Sequence, residues 1–127
     1  MIKRSTALML LRVSLGIVFV WFGVLKLLGV SPVETMIRTV YPSFPFPFTM
    51  YALGVIEVLI GLNFLLNRAL KVTVAVMWLQ MAGIFSCLVL APHLFFQHSN
   101  PLLLTADGEF IIKNLVLLAA SLVVLAE

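Results

Sequence analysis

The chain has 127 residues, 63% of them hydrophobic and 10% charged, with a net charge of +3 and a mean hydropathy of +1.20. Soluble domains carry about 25% charged residues, so this composition cannot coat a water-facing surface and excludes an ordinary soluble globular protein. One cysteine, Cys87, excludes an intrachain disulfide and a CxxC redox pair and reads as a small buried residue.

Four apolar runs of roughly 17–22 residues match the ~20 that a membrane-crossing helix needs. They lie near 7–29, 49–66, 70–91 and 109–126. Strands of a membrane barrel would alternate in short segments, so the expected fold is all-α: an integral membrane four-helix bundle forming one domain over 1–127. The first run is too long for a signal-peptide core, contains Arg12 and Lys26, and has no small-x-small cleavage site. It is expected to be a retained helix.

The segment 30–48 forms the first long loop. Ser31-Pro32-Val33-Glu34 has a capping-box pattern, and Val33, Met36, Ile37 and Val40 follow at helical spacing. This predicts a short interfacial helix. It ends at YPSFPFPF (41–48), where three prolines forbid a continuing helix. Tyr41 and Phe44, Phe46 and Phe48 suit a membrane interface; the phenylalanines also read as a lid over a lipid-soluble ligand. Residues 67–69 leave room for only a tight turn, so the second and third runs should be antiparallel neighbours. The loop 92–108 carries His93 and His98, both read as surface or hydrogen-bonding groups, and Thr105 or Asp107 is placed to cap the fourth helix.

The basic balance would point to nucleic acid in a soluble protein; here topology explains it. Lys3 and Arg4 precede the first run, Arg68 and Lys71 flank the tight turn, and Asp107 and Glu109 lie in the last loop. Counting positive charge inside places both termini and the tight turn in the cytoplasm, although Arg38 falls in the first outward loop. The partner implied is a lipid bilayer, not nucleic acid. No catalytic triad, P-loop or zinc motif occurs, and no metal site is expected.

Polar residues recur along one side of each run. Arg12, Gly16, Phe19, Gly23 and Lys26 share a stripe, as do Gly54, Glu57 and Gly61. Thr73, Met77, Gln80, Gly83 and Cys87 line up in the third run; Lys113 and Leu117, with Asn114 and Ser121 beside them, do so in the fourth. Small residues on such stripes let helices approach closely, and charges within a bilayer mark function or an ion pair. At 1.5 Å per residue, Glu57 lies about 12 Å below the outer boundary, and Lys26 and Lys113 enter within about 4–6 Å of it. The polar cluster expected is therefore Arg12, Lys26, Glu57, Gln80, Lys113 and Asn114. Within it, Glu57 should pair with Lys113 or Lys26, and Arg12 should meet Asn63 and the backbone.

RVSLG around Arg12 and Gly16, FGVLK ending at Lys26, GVIEVLIG around Glu57, and GEFIIKN with Lys113 and Asn114 together resemble the DoxX-like family of bacterial membrane proteins. The YP turn at Tyr41 and the TADGEFIIKN stretch are most similar to its reactive-chlorine-resistance (YkgB/RclC) branch. The likeness extends over nearly the whole chain. It implies a four-helix protein of the bacterial inner membrane, with Arg12, Lys26, Glu57, Lys113 and Asn114 as a family-type polar core. It further implies a redox-stress or quinone-linked accessory or oxidoreductase subunit, with no covalent cofactor, a bound quinone, and a partner membrane subunit or homo-oligomer. Two other readings stand beside it. A small proton-coupled transporter would use one intramembrane acid, and an ion pair at Glu57 would count against it. A scaffold subunit would need only the glycine-lined stripes.

Overall fold

The computed structural model describes residues 2–126. Helix α1 (Arg4–Leu27) is followed by the short α2 (Val33–Val40), then α3 (Phe48–Leu66) and α4 (Leu70–Leu90). The last span is built from α5 (Ala106–Ile112) and α6 (Asn114–Ala126), which meet at Lys113. Four stretches, Arg4–Leu27, Phe48–Leu66, Leu70–Leu90 and Ala106–Ala126, are long and apolar enough to cross a membrane. The fold is thus an all-α four-helix membrane bundle, and the expected spans are off by no more than three residues at any end. The fourth begins early because the Thr105 hydroxyl accepts the Gly108 N–H at 3.1 Å and donates to the Leu94 carbonyl at 2.7 Å. Thr105, not Asp107, is therefore the cap.

Antiparallel α1 and α3 make the most extensive helix contact in the bundle. Both helices carry two glycines seven residues apart, and the pairs meet in reverse order. A Cβ on Gly16 would lie 2.9 Å from the Gly61 carbonyl oxygen, and one on Gly61 would lie 2.6 Å from that of Gly16. Gly23 and Gly54 face each other in the same way, at 2.7 and 2.9 Å. Backbone thus lies on backbone at two points, two turns apart, which is how small residues drive association where lipid offers no hydrophobic gain. The tight turn between α3 and α4 closes through left-handed Asn67, with φ 57°, and Ala69, with φ 49°. Across the bundle, the Trp78 indole N–H donates to the Ser121 hydroxyl at 3.1 Å and ties α4 to α6.

The first-loop helix forms as its spacing predicts, but its apolar side does not simply rest on lipid. Val33, Met36 and Ile37 are buried against Met50, Cys87, Phe95 and Ile111, across one end of the bundle. The Ser31 hydroxyl accepts the Val33 N–H at 3.3 Å. Glu34, expected to close a capping box, turns instead to Arg38 at 3.3 Å, four residues on. A second core cluster of Leu15, Phe19, Ile60, Phe64, Met77 and Val124 fills the other half.

Gly61→Val should lower stability by about 1–3 kcal/mol, the ordinary cost of overpacking, because its Cβ would collide with backbone. Gly83→Ala should be tolerated, since a Cβ there meets nothing within 4 Å. Unfolding midpoints in mild detergent would check this, and equal behaviour of the two variants would refute the backbone contact.

Candidate functional site

The glycine contacts bring one turn of α1 alongside the middle of α3, and Lys26 and Glu57 meet there. Lys26 Nζ lies 2.7 Å from Glu57 Oε2, with the two side chains 4% and 7% exposed. Glu57 Oε2 receives no well-aligned hydrogen bond, so Coulomb attraction carries the contact. Breaking such a pair leaves an uncompensated buried ion, which costs far more than the pair gains.

Each helix then contributes one polar group around a small internal space. The Gln80 side chain stands beside the Glu57 carboxylate. Lys26 from α1, Glu57 from α3, Gln80 from α4 and Asn114 from α6 line a void of about 20 Å³ closed by Phe19, Phe22 and Phe110. That is room for about one water.

Gln80 also lines a second, larger space. This cavity, of about 280 Å³, lies between α2, the aromatic turn, α3 and α4, and includes Met36, Ile37, Tyr41, Phe44, Thr49, Leu53, Gly83 and Ile84 in its wall. It is open at the bundle surface, where Leu79, Gly83 and Phe44 are exposed. Tyr41 and Phe44 stack with ring centroids 4.8 Å apart, and the Tyr41 hydroxyl is 2.6 Å from Ser86 Oγ on α4. The turn is thus pinned to the cavity wall. An apolar lining with a few convergent polar groups is the usual form of a small-molecule site.

The six polar residues expected in one cluster divide three ways. Lys26, Glu57, Gln80 and Asn114 come together. Lys113 does not: it stands exposed at the junction of α5 and α6, where the helix breaks, while its neighbour Asn114 is buried. Of the two bases proposed for Glu57, Lys26 is therefore the partner. Arg12 lies toward the other end, where its Nη1 donates to the carbonyls of Phe64 and, at 3.1 Å, Leu65. Arg12 thus closes the C-terminus of α3, whose last carbonyls lack intrahelical donors, instead of meeting the Asn63 side chain.

The lid residues also separate. Phe44 lines the cavity. Phe46 lies under the Arg38 guanidinium at 4.2 Å from its ring centroid, and Phe48 is exposed. His93 and His98 are exposed in the last loop. The Tyr41–Ser86 bond and the role of Gly83 in the cavity wall went unread in the sequence. Ser86 sits three residues from Gly83 on the polar side of α4, the one available signal.

No family model, no curated protein and no solved structure matches the chain. The site therefore rests on its own geometry.

Lys26→Met and Glu57→Gln should each destabilise the protein, by about 3–5 kcal/mol where the remaining ion stays buried. The double variant should recover much of the loss. A double-mutant cycle by denaturant titration in detergent tests this; additive losses would mean that the two residues are not coupled.

Proposed function

We propose that this chain is a DoxX-like protein of the bacterial inner membrane that binds a quinone-type molecule beside its buried ion pair. It would serve as a redox-stress or quinone-linked accessory subunit. The observation that carries this reading is the position of Gln80, which borders both the small void that holds Lys26 and Glu57 and the apolar cavity. A flat ring entering from the bilayer finds Phe44 and Tyr41 on one side, aliphatic residues of α3 and α4 on the other, and one amide at depth. Both termini face the cytoplasm in this reading, supported by the placement of Lys3, Arg4, Arg68 and Lys71. With one cysteine the chain brings no dithiol of its own, so its part is to bind and position the ligand. Electron transfer belongs to a partner membrane subunit.

The geometry disfavours a proton-coupled transporter. Such a protein needs an acid free to take up and release protons, whereas Glu57 is held by Lys26 at 2.7 Å. A scaffold needs no cavity at all.

Gly83→Leu provides the test, because its side chain should enter the cavity without disturbing helix packing. Total isoprenoid quinone, oxidised plus reduced, would be extracted from the protein purified in mild detergent and measured by mass spectrometry. Near-stoichiometric quinone in the wild type, reduced at least about tenfold in Gly83→Leu at an unchanged unfolding midpoint, is the expected result. Absence of quinone from the wild type, or its retention in the variant, would overturn the assignment.

A further inference from the structure

The end of the bundle opposite the aromatic turn holds a separate cleft of about 340 Å³. Its lining includes Ser5, Leu8, Met9 and Arg12 of α1, and Asn67 and Leu70 at the tight turn. Helix lengths place it at a membrane surface. Helix α3 has 19 residues, about 28 Å of helix, which matches the ~30 Å hydrocarbon core. Its last carbonyls therefore lie near the boundary of that core. Arg12 donates to the carbonyls of Phe64 and Leu65, so its guanidinium is level with the boundary. Residues 4–11 of α1 continue past it for about 12 Å, through the depth of the lipid headgroups.

Arg12 is half-buried there, and its charge is unmatched. Both of its hydrogen bonds leave from Nη1 and end on carbonyls, dipoles that satisfy donors but leave the positive charge in place. No carboxylate among the described residues pairs with it. Glu34 on α2 and Asp107 and Glu109 on α5 belong to the other end of the bundle, and Glu57 is held by Lys26; Glu127 lies outside the described residues. Exposed Lys3, Arg4, Arg68 and Lys71 add further positive charge around the cleft's end of the molecule. A charged group at membrane depth ordinarily has a counter-charge or marks a binding site.

The lining also identifies the anion's source. Leu8, Met9 and Leu70 share it with Arg12. A small soluble anion would use the polar groups alone, whereas a lipid uses both kinds: its phosphate meets the guanidinium, and its glycerol and upper acyl chains meet the apolar residues. We propose that this cleft binds an anionic glycerophospholipid, with Arg12 as the counter-charge to its phosphate and Ser5 and Asn67 as neutral donors. The guanidinium charge is delocalised over the whole planar group, so the attraction does not depend on which N–H meets the phosphate. A lipid seated there bridges α1 and the α3–α4 turn, at the contact that Arg12 already anchors.

The test compares palmitoyl-oleoyl phosphatidylglycerol with phosphatidylcholine of the same chains. Each is titrated into the delipidated full-length protein in mild detergent, and bound lipid per chain is counted by native mass spectrometry. Ser5→Glu is the decisive variant: a carboxylate in the first turn of α1 suits the helix dipole, while it repels phosphate and competes for Arg12. Thr35→Glu, at an exposed position of α2 at the other end, changes net charge equally and serves as the control. The expected result is one phosphatidylglycerol per chain, bound at least about tenfold tighter than phosphatidylcholine, the scale set by one or two basic groups near an anionic lipid. Ser5→Glu should weaken phosphatidylglycerol at least about tenfold at an unchanged or raised unfolding midpoint, and Thr35→Glu should not. Equal affinity for the two lipids, phosphatidylglycerol binding that survives Ser5→Glu, or an equal loss in Thr35→Glu would overturn the proposal. Inorganic phosphate that raises the wild-type unfolding midpoint but not that of Ser5→Glu, with no preference for phosphatidylglycerol, would assign the cleft to a soluble anion and overturn the lipid.

Discussion

A lysine ammonium and a glutamate carboxylate 2.7 Å apart inside an apolar bundle constrain everything around them. A charged side chain at the centre of a membrane helix costs about 2.5–3.5 kcal/mol even on insertion scales, so neither residue is tolerable alone. Beside the pair, α1 and α3 lie closer than ordinary side chains allow. Gly16 against Gly61 and Gly23 against Gly54 provide that approach, with the matched seven-residue spacing fixing the register of the antiparallel helices. Arg12 holds the far end of the same contact by capping the last carbonyls of α3. One helix pair thus carries an anchor at one end, two glycine contacts between, and the ion pair near the other end.

The remaining elements are arranged around that pair. Helix α4 brings Gln80 to the carboxylate, and α6 brings Asn114 to the same small void. The first-loop helix and the aromatic turn close the end of the bundle, through Val33, Met36 and Ile37 below and the Tyr41–Ser86 bond at the side. Between them lies the cavity. The charge pair and the apolar space therefore share one wall residue, Gln80.

Much of this was legible in the sequence. Apolar length gave the spans, and glycine and charge spacing gave the facing sides of α1 and α3, because both follow from helical periodicity. The partner of Glu57 was not decided there. Lys26 and Lys113 have similar depths by residue count, and only the break at Lys113, which leaves it exposed beside buried Asn114, separates them. The phenylalanines of the turn read alike as a lid, yet they divide among the cavity, the Arg38 guanidinium and an exposed face. Backbone direction in a proline-rich turn sets that outcome, and periodicity does not reach it. The cavity itself was out of reach for the same reason: it arises where the turn lies across α3 and α4, a contact between segments distant in the chain.

The most direct measurement is of the charge state of Glu57 in the bilayer. A difference infrared spectrum of the reconstituted wild type against Glu57→Gln, recorded near neutral pH, isolates that one group. An ionised pair with Lys26 requires the difference to contain a carboxylate stretch and no protonated carboxyl carbonyl. A carboxylic-acid carbonyl band at that pH would contradict the ion pair, and with it the constraint around which the bundle is arranged.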